Sequence, residues 1–149
     1  MTLEEIYNFL PLTDTLLSSG MPTADQMTEV SSAGVQVVIN LALPTSERAL
    51  PNEADLVRSL GMKYVGIPVE WDKPTRANLD DFMNAMDANK GSKLLVHCQA
   101  NYRATGFITL YRILRLGWEQ ATALEDLHRI WDPGDYPVWQ KFIEENLSA

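Results

Sequence analysis

Features that restrict protein function are scarce in this sequence of 149 residues. It has one cysteine, which excludes an intrachain disulfide and suits the reducing cytoplasm. Its two histidines, His97 and His128, stand far apart and without clustered acids, so we predict no metal site and no cofactor. It has no glycine-rich nucleotide motif, and no apolar run approaches the roughly 18 residues of a membrane span. We therefore expect a cytoplasmic protein that does not associate with membranes.

Basic residues are also few. Lysine and arginine number 12 against 20 aspartate and glutamate, which gives a formal net charge of −8. The averaged field of such a protein repels polyanions, so nucleic acid is excluded as a general partner. Any site for an anion must be built locally.

The chain suffices for one domain, residues 1–149, because 46% of its residues are hydrophobic. Short β-branched and apolar runs predict strands over 15–19, 35–43, 62–69 and 93–97. Apolar residues at helical spacing predict helices over 24–33, 53–60, 75–89, 105–117, 119–130 and 136–147. This alternation predicts an α/β fold: a three-layer sandwich in which helices flank a mainly parallel sheet of four to five strands.

Local patterns mark where several helices begin and end. Thr23 and Gln26 have the spacing of a capping box, and Asn52 is placed to cap the following helix. Gly34 ends the first of these helices. The helix over 105–117 is apolar nearly all round, so we expect it in the interior of the domain.

The stretch "LLVHCQANYRAT", residues 94–105, carries the most chemical information. A buried strand delivers Cys98 to a short polar loop, Arg103 follows, and a helix starts there. Loop amides and a helix N-terminus bind anions and favour the thiolate, the nucleophilic form of cysteine. Asn101 can adopt the left-handed conformation that a tight loop needs. The alternative is that Cys98 is a small buried hydrophobe.

The stretch "VHCQANYRAT" resembles the signature of the cysteine-dependent protein phosphatases, in which His-Cys opens a phosphate loop closed by Arg and then Ser or Thr. "LLSSGMPT", "VVINL" and "YVGIPVEWDKPT" are similar to stretches of the small bacterial dual-specificity-like phosphatases related to the beta-lactamase-hydrolase-like proteins. The resemblance covers most of residues 16–116. It implies the protein tyrosine phosphatase fold and a phosphorylated small molecule or phosphoprotein as substrate.

The resemblance also implies roles for individual residues. Cys98 matches the nucleophile that forms a cysteinyl phosphate, and Asp72 matches the general acid of a mobile loop. His97 matches a residue that orients the loop. The implied phosphate-binding residues are Gln99, Ala100, Asn101, Tyr102, Arg103, Ala104 and Thr105. For Asp72 the alternative is a solvated turn aspartate, and Glu70 is the nearest substitute acid.

One residue of spacing departs from the family pattern. The arginine commonly lies six positions after the cysteine, whereas Arg103 lies five after Cys98 and Ala104 holds the expected arginine place. Asn101 replaces a common glycine. Either the loop is one residue tighter, with Arg103 as the anion clamp, or it keeps its length and has lost its arginine. We favour the tighter loop, because a surface arginine in the first turn of a helix would oppose the helix dipole.

Two other functions remain open on the sequence alone. The short spacing resembles the active loop of rhodanese-like sulfurtransferases, whose cysteine carries a persulfide. Ala104 in the arginine place would instead suit a phosphatase-like domain that binds phosphate without turnover. The presence of Asp72 in an acid loop speaks against the sulfurtransferase, since persulfide transfer needs no such acid.

Overall fold

A computed structural model describes residues 2–148 of the chain as a sheet with helices on both faces. The strands are β1 (Leu10–Thr13), β2 (Leu16–Ser19), β3 (Val37–Asn40), β4 (Lys63–Gly66) and β5 (Leu94–His97). The α-helices are α1 (Ala24–Ser32), α2 (Glu53–Ser59), α3 (Arg76–Ala88), α4 (Tyr102–Leu114), α5 (Gln120–His128) and α6 (Pro137–Ser148). Short 3-10 turns lie at Leu3–Glu5 and Pro133–Asp135.

The five strands pair in the order β1-β2-β5-β3-β4. β2, β5, β3 and β4 are parallel, and only β1 runs antiparallel, against β2. The predicted mainly parallel sheet is therefore confirmed. β1 is absent from the sequence prediction because it is short and contains Pro11, a residue that a sheet accepts at an edge where its missing N–H leaves no gap.

Alternate residues of the central strands enter two separate cores, which confirms the three-layer sandwich. Val37 and Ile39 of β3 pack with residues of α3, α4 and α6. Val38, between them, packs with residues of α1 and α2 on the opposite face. Because both faces are covered, every residue of β3 and β5 is buried, and these strands appear in sequence as continuous apolar runs.

The local signals at helix ends are confirmed in two places and wrong in one. The capping box of α1 forms as predicted between Thr23 and Gln26, and Gly34 has a φ of +90° just after the helix. Asn52 stands at the N-cap of α2, but it has a left-handed φ of 55° and its side chain makes no capping hydrogen bond. The prediction that Asn52 caps the helix fails because capping side chains reach the first-turn amides from an extended backbone.

The parallel pairing brings the carboxyl ends of four strands to one edge of the sheet. Ser19, Asn40, Gly66 and His97 are the last residues of β2, β3, β4 and β5. The loop from Cys98 and the segment that follows Gly66 start at this edge, where ligands of parallel α/β sheets bind. Within residues 2–148 the structure contains no helix with the length and apolarity to span a bilayer.

The capping box of α3 allows a test of how firmly this helix is anchored behind the acid loop. Thr75 Oγ1 accepts from Asn78 N at 3.1 Å, and Thr75 N donates to Asn78 Oδ1 at 3.2 Å. Thr75→Ala should lower the free energy of unfolding in urea by about 1 kcal/mol. The control Thr28→Ala, on the exposed face of α1, should change it by less than about 0.5 kcal/mol. Equal effects of the two changes would contradict a stabilising cap.

Candidate active site

The loop that begins at Cys98 joins the end of β5 to the first turn of α4. Cys98 is buried, and Asn101 has a φ of 70°, which confirms the predicted left-handed conformation. Asn101 does not cap α4 with its side chain. Its Nδ2 instead donates to Asn8 O at 2.8 Å and to Ser18 Oγ at 3.0 Å. These two bonds fasten the loop to the N-terminal part of the chain and leave the amides of α4 uncapped.

The backbone N–H groups around the loop are the second feature of the site. Within residues 2–148, no protein acceptor bonds the N–H of Gln99, Ala100, Tyr102 or Arg103. Such a run of unpaired amides at the start of a helix of 13 residues carries partial positive charge. The loop therefore offers donors to an anion beside the Cys98 thiol.

Arg103 is a buried cation beside this loop. Its side chain is in the interior, and Nη1 donates to Val69 O at 2.7 Å. Within the described range no carboxylate lies in ion-pair distance of its guanidinium. A buried guanidinium with one carbonyl partner keeps most of its five N–H donors for a ligand. Ala104, the next residue, is wholly buried in the hydrophobic core.

A cavity of about 360 Å³ places the nucleophile candidate and this cation together. Its lining residues are Trp71, Cys98, Gln99, Ala100, Tyr102, Arg103 and Tyr136. Five of these belong to the predicted loop, and Tyr136 is an aromatic wall that the sequence patterns placed only at the start of the last helix. The geometry therefore agrees with the tighter loop, in which Arg103 meets the ligand.

Three of the predicted phosphate-binding side chains turn away from the cavity. Asn101 bonds Asn8 and Ser18, and Ala104 packs in the core. Thr105 Oγ1 donates to Asn101 O at 2.7 Å and accepts from Trp131 Nε1 at 2.9 Å. These side chains hold the loop and the start of α4 in place.

Asp72 lies in an exposed turn next to the cavity wall. The turn is closed by a hydrogen bond from Lys73 N to Glu70 O at 3.2 Å. Within residues 2–148 no hydrogen bond or ion pair holds the Asp72 carboxylate. Asp72 itself does not line the cavity, whereas Trp71, the residue before it, does. The turn that carries Asp72 therefore reaches the cavity through Trp71.

Behind the loop, His97 belongs to a buried polar network. His97 Nε2 lies 2.7 Å from Glu53 Oε2, and His97 Nδ1 lies 3.4 Å from Cys98 O. Glu53 Oε1 accepts from Asn40 Nδ2 at 3.3 Å, and the same Nδ2 donates to the Tyr64 hydroxyl at 3.2 Å. Burial raises the pKa of the Tyr64 phenol, which keeps it neutral. This network agrees with a positioning role for His97.

Glu53 is the residue of this network that the sequence analysis missed. In sequence it is one of the acidic residues that commonly begin a helix, and nothing separates it from exposed neighbours such as Asp55. Its side chain also borders a second cavity of about 320 Å³, which it shares with Asn40 and Tyr64. Neither Cys98 nor Arg103 lines that cavity, so the candidate anion site is the first one.

Metal chemistry gains no support from the side chains. In the described part of the chain, no three His, Cys, Asp or Glu side chains are grouped so that they could hold a metal ion. The candidate site therefore consists of a thiol, a buried guanidinium, a row of amides and an aromatic wall.

Known proteins share this fold. No protein-family model matches the chain. A candidate phosphatase of the DUF442 family from Shewanella putrefaciens CN-32 is 40% identical in its 1.60 Å crystal structure. The alignment covers 97% of this chain and 91% of that chain, with a TM-score of 0.85. The expected resemblance to the phosphatases is confirmed.

Two further relatives are longer proteins. A beta-lactamase hydrolase-like protein of Xylella fastidiosa is 29% identical over 87% of this chain, which spans 31% of that protein's length. The dual specificity protein phosphatase TpbA of Pseudomonas aeruginosa is 25% identical over 82% of this chain, which spans 54% of that protein. A crystal structure of a TpbA variant in complex with phosphotyrosine matches the fold with a TM-score of 0.72 over 91% of this chain and 82% of that chain, at 19% identity.

Removal of the Glu53 carboxylate should destabilise the folded protein, because it breaks the buried network around His97. Glu53→Ala leaves His97 Nε2 without its partner inside the protein. The free energy of unfolding should fall by about 3 kcal/mol. Loss of a buried hydrogen-bond partner costs up to about 3 kcal/mol, and loss of a buried ionic partner costs about 3 kcal/mol or more. Asp55→Ala, in the same first turn of α2 but exposed, should cost less than about 1 kcal/mol. Urea denaturation at neutral pH measures both, and similar values would show that the Glu53–His97 contact adds no stability.

Proposed function

This chain belongs to the DUF442 family, which has the fold of the cysteine-dependent phosphatases, and we propose that it hydrolyses phosphomonoesters through a cysteinyl-phosphate intermediate. The observation that carries the proposal is the shared cavity of Cys98 and the buried guanidinium of Arg103. A thiol beside a cation that has no carboxylate partner within residues 2–148 fits a dianionic phosphate ester. We take residues 1–149 as one phosphatase domain.

In the first step the Cys98 thiolate attacks phosphorus. The bond between phosphorus and the ester oxygen breaks, and that oxygen takes a proton from Asp72. Arg103 and the unpaired amides of Gln99, Ala100 and Tyr102 stabilise the charge on the transferring group. We assign this role to Asp72 because it follows Trp71, which lines the cavity, in the same turn. The products of this step are the free alcohol or phenol and a phosphate bound to sulfur.

In the second step water releases the phosphate. Asp72, now a carboxylate, takes a proton from the water, whose oxygen attacks phosphorus as the sulfur leaves. Inorganic phosphate departs and the Cys98 thiolate is restored. His97 does not touch the phosphate in this scheme. It holds the start of the loop through Glu53 and its contact with the carbonyl of Cys98.

The shape of the cavity supports an aromatic phosphomonoester as the better substrate. Trp71, Tyr102 and Tyr136 line it beside the loop, and Trp71 packs within 5.9 Å of Tyr102 and 5.2 Å of Tyr136 between ring centroids. Such walls contact a ring on its face or edge, whereas an alkyl phosphate leaves them unfilled. We propose a phosphorylated small molecule or phosphoprotein with an accessible aryl phosphate as the substrate.

The proposed setting follows from composition. One cysteine suits the cytoplasm, and a formal net charge of −8 disfavours nucleic acid as a partner. The proposed reaction uses no metal or cofactor, since the thiolate and Asp72 supply the nucleophile and the acid.

Replacing Cys98 tests the nucleophile. Cys98→Ser should abolish hydrolysis of p-nitrophenyl phosphate by the purified protein, because a serine hydroxyl is not ionised near neutral pH. Vanadate should inhibit the wild-type protein, and rapid quenching should trap a phosphate on Cys98. The wild-type protein should not transfer sulfur from thiosulfate to cyanide. Sulfur transfer without hydrolysis would favour the sulfurtransferase, and phosphate binding without turnover would favour a binding domain.

Replacing Arg103 tests the tighter loop. Arg103→Lys keeps the charge but loses the planar fork of donors. Losing one charged hydrogen bond costs about 1.5–3 kcal/mol, so kcat/KM for p-nitrophenyl phosphate should fall about ten- to hundredfold. The control Arg129→Lys, an exposed residue after α5, should leave kcat/KM unchanged. An unchanged rate in Arg103→Lys would mean that the loop has lost its anion clamp.

A further inference from the structure

Trp139 is a wholly buried residue of α6 that reaches across to the acid loop. Its indole Nε1 donates a hydrogen bond to the carbonyl of Trp71 at 2.8 Å. The two indole rings also stack, with centroids 5.3 Å apart and planes 25° from parallel. A buried indole N–H needs a partner, and here the partner is the backbone of the residue that precedes Asp72.

Three of the hydrogen bonds that fasten the backbone around Asp72 come from different parts of the site. The carbonyl of Val69 accepts from Arg103 Nη1 at 2.7 Å, and the carbonyl of Trp71 accepts from Trp139 Nε1. The hydrogen bond from Lys73 N to Glu70 O closes the turn. One fastening comes from the anion site, one from α6 and one from the turn itself.

The carboxylate of Asp72 has no such fastening of its own. No hydrogen bond or ion pair holds it within the chain from residue 2 to residue 148, and its side chain is exposed. Its location is therefore set by the backbone of the turn. A general acid must stand within hydrogen-bond reach of the leaving oxygen, and small displacements of a catalytic group are costly.

We propose that Trp139 is a positioning residue for the general acid: its hydrogen bond and stacking on Trp71 fix the turn that presents Asp72 to the leaving group. This inference rests on the proposed function. In the first step of hydrolysis the P–O bond breaks and its electron pair leaves with the ester oxygen. That oxygen takes the proton of the Asp72 carboxyl. Trp139 touches neither group and acts through the backbone of Trp71.

A positioning role predicts an effect that depends on the leaving group. An alkoxide or simple phenoxide leaves slowly without a proton, whereas 2,4-dinitrophenolate leaves readily without one. Misplacing Asp72 should therefore lower kcat/KM, which reports the attack by Cys98, for phenyl phosphate and spare it for 2,4-dinitrophenyl phosphate. The value of kcat also contains the second step, in which Asp72 activates water for every substrate. General damage to the fold or to the Cys98 loop would slow both substrates alike.

The central experiment compares Trp139→Phe with Trp118→Phe. The first removes the N–H and keeps an aromatic ring; the second makes the same change in a tryptophan that packs on Arg112 and does not line the cavity. For Trp139→Phe, kcat/KM should fall about tenfold on phenyl phosphate and less than about twofold on 2,4-dinitrophenyl phosphate. This loss is smaller than the roughly hundredfold minimum that a general acid contributes, because the acid is displaced and not removed. Trp118→Phe should change neither rate.

Two further variants separate the hydrogen bond from packing. Trp139→His keeps a ring N–H at the Nε2 position with a smaller ring, so it should recover part of the phenyl phosphate rate although it fills less space. In an Asp72→Asn background, Trp139→Phe should cause no further loss. An equal loss on both substrates, or the same loss with and without Asp72, would overturn the inference.

Hydrogen exchange gives a readout that does not depend on turnover. The Lys73 amide, which donates to Glu70 O, should exchange faster in Trp139→Phe than in wild type and Trp118→Phe. Unchanged exchange would overturn the fastening of the turn. If the wild-type protein hydrolyses neither ester, the proposed function fails and the catalytic role of Trp139 fails with it. Exchange would then report on the fastening alone.

Discussion

The hydrogen bond from Arg103 to the carbonyl of Val69 joins the two loops that the rest of the site depends on. It ties the first turn of α4 to the segment that leads to Asp72. A carbonyl oxygen carries only a partial charge, so it cannot replace the water that the guanidinium gives up on burial. Arg103 lines the same cavity as Cys98. The proposed phosphate site depends on the burial of this cation beside Cys98.

Two supports hold this arrangement from opposite sides. On one side, Glu53 bonds His97 at the end of β5 and fixes where the loop begins. On the other, an aromatic cluster of Trp71, Tyr102, Trp131, Tyr136 and Trp139 packs the acid loop against α4 and α6, with Tyr102 stacked on Trp131 at 5.0 Å between centroids. Together they hold the thiol and the cation of the Cys98 loop in one cavity, with the turn that carries Asp72 beside its wall.

Much of the fold is predictable because its causes are local. Buried parallel strands appear in the sequence as short apolar runs. In helices with one buried face, apolar residues recur every three or four positions. The sandwich architecture therefore follows from these two patterns. The Cys98 loop is also local, since strand, loop and helix start are consecutive in sequence. Asn52 and β1 were mispredicted for the opposite reason. A left-handed backbone at Asn52 and the pairing of β1 with β2 follow from neighbours that a short window does not contain.

The sequence by itself determined that Cys98 stands at a strand end before an anion-binding turn, because those residues are neighbours along the chain. Only the tertiary structure decided that Arg103 turns inward to Val69, that Glu53 reaches His97 across 44 positions, and that Trp139 reaches Trp71 across 68. Spacing along a chain does not fix the direction of a side chain. That direction is set by what the packed sheet and helices leave beside it, since a buried polar group must find its partner wherever the fold has placed one.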